Sequence, residues 1–475
     1  MNFYNLKYYF YRLAGRLRRV FFMALPENEE DCRKSRNAFI TTEIANQTMQ
    51  QFVGGTFLAA ALSYLKLSDG MIGMVMSVTT LSTVFNLLIM NYVQQLGKRK
   101  LFVCFLILQK IWLSFMYFIP LFHWRTGTKA FWFILFLTVG QICTQISTPA
   151  INDWIGDLVP PETRGEYFAR KDAVAVFVVI VSMFLMGFVF DHFYENDHYY
   201  SYPVIGIAIF LLVIINLAGF LSMKEPRGYL CDPEGHEMHG ALLRRHKNTN
   251  GSTASGQHVF FDCMAALKNR EFRAVLFMTC MWNMAFYIAQ PFNNSYQIKE
   301  LGLSFTYIMT VSLGANMIRV LLTPFIGRKA DRIGMANMLI LILILYTAGY
   351  FFMMLAVPGA GRIMYILSVI LSSISWCFIN TGLLCIQFEF LDRKLRMLQF
   401  ALLMAVSGVV GFLVSAAGGR LVDFLQKHPP VLFGRSLYAQ QVMNFLGILM
   451  TAAVILYLYV KIRKMEESRK DEIRE

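Results

Sequence analysis

The sequence predicts an all-α integral membrane protein, with twelve transmembrane helices in two pseudo-symmetric six-helix bundles. Three observations carry that prediction. A window of about twenty residues, the length that spans a hydrocarbon core, divides the 475 residues into a dozen apolar stretches. Lys and Arg cluster in alternate gaps between those stretches. One long polar gap leaves six stretches on each side. Composition agrees, because 56% hydrophobic and 16% charged residues are too apolar a balance for a soluble domain of this length.

The expected order is a basic N-terminal segment (1–37), a first bundle (38–223), a linker (224–273), a second bundle (274–460) and a C-terminal tail (461–475). Within the bundles, helices are expected near 38–63, 69–94, 101–121, 130–152, 172–191, 201–223, 274–297, 303–327, 335–357, 363–390, 397–424 and 437–460. Segment 1–37 holds eight basic residues and no apolar core ending in a small-residue site, so it does not read as a signal peptide. Tyr8–Phe22 alternates aromatic and basic residues and reads either as a surface-lying amphipathic helix or as a disordered basic tail. Counted by side, 34 Lys and Arg fall in the termini and alternate loops, 8 in the other loops, and Lys110 and Arg319 inside helices. Positive flanks resist translocation, so both termini are expected in the cytoplasm of a multi-pass protein of the cell membrane. The net charge of +14 is then mostly a topology signal whose partner is the lipid headgroup rather than nucleic acid. Linker residues His236, His239 and His246 are irregularly spaced, and the eight Cys form no CxxC pair, so neither a metal site nor a disulfide framework is expected.

The halves repeat. A shift of 232 positions aligns Asp157 with Glu389, Arg164 with Arg396, Phe168 with Phe400, Ala169 with Ala401, Gly187 with Gly419 and Asp191 with Asp423. Matched Arg, Gly and Asp are hard to obtain by chance in apolar helices. Two six-helix repeats with both N-termini on one side are related by an axis along the membrane normal, as in two-bundle secondary transporters. Asp191 and Asp423, at extracellular helix ends, read as caps or gate contacts.

Gly327-Arg328-Lys329-Ala330-Asp331-Arg332-Ile333-Gly334, in the loop after the eighth helix, resembles the loop motif of the major facilitator superfamily. Asp157-Leu158-Val159-Pro160-Pro161-Glu162-Thr163-Arg164-Gly165 resembles that superfamily's loop between helices four and five. The resemblance covers nearly the whole chain. It implies a cytoplasmic latch, with Asp331 and Arg332 as its centre, Glu389 and Arg396 as partners, and Asp157 and Arg164 as the first-half equivalents. In the first-half loop Gln94 and Gln95 stand where the family has Asp-Arg, and an amide there offers hydrogen bonds without an ion pair. The resemblance also implies that helices one, four, seven and ten surround a central cavity.

Polar residues recur at helical spacing on those helices, and side chains in a bilayer core must face protein or a wet cavity. The first carries Glu43, Gln47, Gln50 and Gly54, the fourth Gln141, Gln145, Thr148 and Asn152, and the seventh Asn283, Tyr287, Gln290 and Asn294. The eighth carries Ser312, Asn316, Arg319 and Thr323, and the tenth Ser373, Trp376 and Asn380. Some of these amides are expected to join helices, Gln141 and Asn294 among them. Five stripes exceed what packing needs, so a substrate site is expected from Gln47, Gln50, Gln145, Asn152, Asn283, Tyr287, Gln290, Asn316, Arg319, Trp376 and Asn380. Pro149, Pro291 and Pro324 remove backbone hydrogen bonds and are expected to bend helices four, seven and eight. Arg319 lies roughly 12 Å inside its helix and Lys110 roughly 15 Å. Glu43 is the candidate proton-coupling carboxylate, and Lys110 reads either as a coupling partner or as a structural one.

No nucleotide loop, metal cluster or nucleophile elbow is apparent, so the chain is not expected to be an enzyme and no cofactor is expected. The expected function is secondary transport of a small-molecule substrate by a monomer working by alternating access, with a coupling proton. A sugar or glycoside ranks first because amides both donate to and accept from hydroxyls, and Tyr287 and Trp376 offer stacking faces. The alternatives are an organic-anion carrier, gripping a carboxylate or phosphate through Arg319, and a non-transporting sensor. The fifth helix lacks the Gly-Pro pair of many drug/proton antiporters of the superfamily, which weighs against multidrug export.

Overall fold

The structure, a computed structural model, describes residues 29–94, 99–159, 164–196, 198–224, 230–231, 237–238, 264, 266–359, 361–391, 396–432 and 435–474. Eleven helical spans are long and apolar enough to cross a membrane. The twelfth is the first crossing, whose leading half is too polar for that measure. It consists of α1 (Glu29–Phe52) and α2 (Gly55–Tyr64). Crossing 2 is α3 (Asp69–Met76), α4 (Val78–Leu81) and α5 (Val84–Gln94), and crossing 3 is α6 (Arg99–Gln109), α7 (Ile111–Phe115) and a 3-10 turn, Met116–Leu121. Crossings 4, 5 and 6 are α8 (Thr126–Leu158), α9 (Arg164–Asn196) and α10 (His198–Ser222).

The second bundle repeats the plan. Crossing 7 is α11 (Arg270–Tyr287) with α12 (Gln290–Lys299), followed by α13 (Phe305–Ile333) and α14 (Met335–Leu355) as crossings 8 and 9. Crossing 10 is α15 (Gly361–Ser375) with α16 (Ile379–Phe390), and crossing 11 is α17 (Arg396–Lys427). Crossing 12 is α18 (Ala439–Tyr457), continued by a π turn, Leu458–Ile462, into α19 (Arg463–Arg474). Two-residue hairpins, Leu230–Cys231 with Glu237–Met238 and Val431–Leu432 with Arg435–Ser436, are the strands among the described residues.

Several boundaries differ from the sequence expectation for one reason: helices extend into water, where a hydropathy window ends them early. α1 starts at Glu29 inside the expected N-terminal segment, α8 and α9 each run to 33 residues, and the expected tail is helix through Arg474. The tail helix is tied down. Glu466 is buried and accepts from the backbone N–H of Met335 and Ala336 at the start of α14, where carboxylates complement the unpaired N–H groups. Lys100 does the reverse job at the end of α10, donating to the carbonyls of Leu221 and Met223 at 2.7 and 2.8 Å.

The expected loop motif is also helical: α13 continues to Ile333, and the chain turns only at Gly334, whose φ of +93° suits glycine. Pro149 and Pro324 lie inside continuous helices α8 and α13, so they do not interrupt crossings 4 and 8. Pro291 sits in the first turn of α12, after a break.

Candidate functional site

Besides crossings 2 and 3, whose helices are already segmented, three crossings among the described residues are interrupted midway. Crossing 1 breaks between Phe52 and Gly55, where Gly55 adopts φ +53°. Crossing 7 breaks at Ile288–Ala289, and crossing 10 at Trp376–Phe378. A break leaves helix-terminal carbonyls without intrahelical donors. A tyrosine hydroxyl takes one at each of the first two: Tyr117 donates to Phe52 O at 2.6 Å, and Tyr350 to Ala285 O at 3.2 Å. The two contacts occupy matched places in the repeat, crossing 3 onto crossing 1 and crossing 9 onto crossing 7.

Between the bundles lies a cavity of about 490 Å³, within the range of small-molecule pockets. Gln47, Gln51 and Thr56 line it from crossing 1, and Val176, Val179, Ile180 and Met183 from crossing 5. Gln290, Asn293, Asn294 and Gln297 come from crossing 7, and Ser312, Asn316 and Arg319 from crossing 8. Tyr350 adds crossing 9, and Tyr365, Ser368, Ser372, Ser373 and Trp376 add crossing 10. One wall is aliphatic and the other is amide, hydroxyl and aromatic. Trp376 is set edge-on to Trp282, Phe286 and Tyr346, with centroids 5.6–6.3 Å apart, which fixes its ring.

The bundles close on each other at the end away from α19. Phe57 stacks on Phe305 at 5.8 Å, and Phe190 tilts against Phe305 at 4.4 Å. Around this plug, Asp191 at the end of α9 accepts from the Phe305 and Thr306 N–H groups at the start of α13. Asp423 at the end of α17 accepts from Ser68 Oγ (2.9 Å) and Gly70 N (3.0 Å) at the start of α3. These are one contact made twice, crossing 5 to 8 and crossing 11 to 2. Asp69 accepts from Lys299 Nζ at 2.6 Å, Gln426 Nε2 at 2.6 Å and Ser295 Oγ, all from the other bundle. Gly70 and Gly419 let the backbones touch, since a Cβ on either would overlap the other's carbonyl. Along the flank of crossings 2 and 11, Thr83 donates to Met404 O at 3.1 Å.

Of the expected substrate residues, Gln47, Gln290, Asn316, Arg319 and Trp376 line the cavity. The others do not. Gln50 accepts from Gln141, and Gln145 from Asn86, so both join helices within the first bundle. Tyr287 packs on Gly411 of crossing 11. Asn283 is half-buried off the lining, Asn152 is exposed, and Asn380 is exposed beyond the break in crossing 10 that turns its face away. Asn294, expected as helix glue, faces the cavity instead. Tyr350 and Tyr365 gave no sequence signal, because a tyrosine in an apolar helix looks like core.

Glu43 is held by Gln47 Nε2 at 2.9 Å and by Lys171 Nζ at 3.6 Å. Lys171 belongs to α9, which starts seven residues before it and carries it inward. Lys110 is buried at a kink between α6 and α7, within the first bundle, and donates to Asn46 Oδ1 at 2.9 Å. Among the expected latch residues, the side chains of Asp157, Arg164, Asp331 and Arg396 lie outside the described residues, as do the side chain of Gln94 and all of Gln95. Arg332 is exposed and Glu389 half-buried.

The Major Facilitator Superfamily model matches residues 42–396. No curated protein matches the chain in sequence. Among solved structures, the nucleoside transporter NupG aligns with TM-score 0.61 at 14% identity, covering 90% of this chain and 98% of that one. A D-xylose-proton symporter aligns at 0.58 and 12% identity, with coverages of 91% and 96%. A bacterial homologue of the iron transporter ferroportin, in an inward-facing state, aligns at 0.62 and 11% identity, with coverages of 91% and 99%. At such identities the likeness is one of fold.

Proposed function

The chain belongs to the Major Facilitator Superfamily, and on that premise we propose that it is a secondary transporter moving a small hydroxyl-rich solute, built on a sugar-like skeleton, by alternating access. The observation that carries this reading is the cavity between the bundles, with its wall of amides and hydroxyls on crossings that break beside it. Amides satisfy hydroxyls in both directions, and Trp376 presents an aromatic face to a ring. Closure at the end away from α19, by contacts that all run between bundles, supports alternating access: rocking one bundle exchanges that closure for the other.

Two finer elements belong to the same proposal. At the α19 end, Asp331, Arg332, Glu389 and Arg396, with Asp157 and Arg164, form the opposing latch. In the first bundle, Glu43 is the coupling site, since protonation would remove the charge that draws Lys171 at 3.6 Å and leave that lysine to Asp172 at 3.0 Å, and Lys110 sets its field.

Counterflow in proteoliposomes tests the reading. Labelled monosaccharides, glycosides and sugar acids are offered against unlabelled solute, and at least one should exchange, with Gln290→Ala and Asn316→Ala each slowing it about tenfold. Binding without exchange would favour a sensor and sink the transporter. Glu43→Gln should abolish pH-driven accumulation while sparing exchange; unchanged accumulation removes Glu43 from the mechanism.

A further inference from the structure

The cavity wall carries a formal charge. Arg319 lines it, in line with Ser312 and Asn316 on α13, together with Ser372 and Ser373 of α15 and Trp376 in the break that follows. Among the described residues no carboxylate lines the cavity, and Arg319 makes no ion pair. Glu43, one turn from the lining residue Gln47, is already occupied by Lys171 and Gln47. Lys110, the other cation deep in the membrane, is taken by Asn46 away from the lining.

We propose that the cargo is a hydroxylated organic anion whose oxyanion group, a carboxylate or a phosphate, is gripped by Arg319. The proposal rests on the transporter reading above and names its substrate class. A guanidinium has five donors, no acceptor and a permanent charge. Midway along α13, roughly 21 Å from either end, such a group needs a counter-charge. A neutral sugar hydroxyl can accept hydrogen bonds but leaves the charge uncompensated, whereas an oxyanion takes two parallel N–H bonds and neutralises it. The backbone at this turn is pinned: Arg319 O accepts from Thr323 Oγ1 at 2.8 Å and from Cys377 Sγ at 3.2 Å. The second bond ties α13 to the break in crossing 10, which keeps the guanidinium's stem beside Trp376 and the serines. Hydroxyl recognition by the amides and charge recognition by Arg319 then act on two ends of one molecule. This ranks the anion above the neutral sugar, reversing the order read from the sequence, because Arg319 lines the cavity while five of the eight expected amides do not.

The test uses the full-length protein in detergent, followed by thermal unfolding with glucose, gluconate or glucose 6-phosphate at equal concentration, since a bound ligand raises the midpoint by mass action. Gluconate or glucose 6-phosphate should raise it and glucose should not; which anion acts distinguishes carboxylate from phosphate. Arg319→Gln should weaken that anion on the order of a hundredfold, with Arg319→Lys between the two and ligand-free midpoints alike. Equal stabilisation by glucose, silence with both anions, or an undiminished response in folded Arg319→Gln overturns the assignment. In the first of these cases a cargo still binds and the transporter reading survives. Anion binding without exchange in liposomes would instead sink the transporter and leave Arg319 in place.

Discussion

Gln50 and Gln51 are neighbours in sequence and do different jobs. Successive residues on a helix point about 100° apart, so when Gln51 faces the cavity with Gln47, Gln50 turns towards Gln141 of crossing 4. A spacing of three or four residues places a side chain only to within that arc, which is why a polar stripe was legible and its cavity-facing members were not. Gln51→Ala should raise the KM for exchange several-fold with little change in melting temperature. Gln50→Ala should lower stability by about 1 kcal/mol and leave KM alone. Measuring both quantities for both variants separates the roles, and matching profiles would refute the division. Lys171 shows another limit: its partner Glu43 lies 128 positions away, and only the early start of α9 brings the two together.

Helix ends decide how the bundles meet. Asp191 and Asp423 each sit at the last turns of a long helix and accept from the first N–H groups of a helix in the other bundle, where a carboxylate is favoured by the unpaired donors and the helix dipole. The 232-residue repeat pointed to both aspartates; their acceptor role needed the three-dimensional partner. Asp191→Asn and Asp423→Asn should each loosen this end, and together more than either alone. Leu303, nearly buried there, supplies the reporter. In a cysteine-free background, Leu303→Cys should react with an impermeant maleimide several-fold faster in each Asn variant, and faster again in Gly70→Val, whose side chain has no room against Gly419. Unaltered labelling would mean that the Phe57–Phe305 plug alone holds the closure. Breaks in crossings 1, 7 and 10 were the harder feature to foresee. Of these only crossing 7 carries a proline at its break, Pro291, while crossings 4 and 8 run straight through theirs.

At the scale of the whole chain, hydropathy and the alternation of basic loops sufficed for twelve crossings in two sixes, because both report transfer between water and lipid, which the sequence alone dictates. The same charges carry the expected orientation. Thr126→Cys should label from outside intact cells and Ser252→Cys only after permeabilisation, and the opposite pattern would invert the topology. Cavity contents were less legible, since they depend on the relative rotation of the six crossings that line it. The duplicated aspartate contact has a consequence for how such a protein can change. An interface in which each half offers the same group to the same place on the other is isologous in form, like that of a twofold dimer, but in a single chain its two copies are encoded separately, so one can be lost while the other still holds. The cargo wall has no such symmetry: Arg319, Trp376 and the serines of crossing 10 come from one bundle, and Gln47, Gln51, Thr56 and the aliphatic residues of crossing 5 from the other. Selectivity can therefore be rewritten residue by residue, while the moving parts stay as they are.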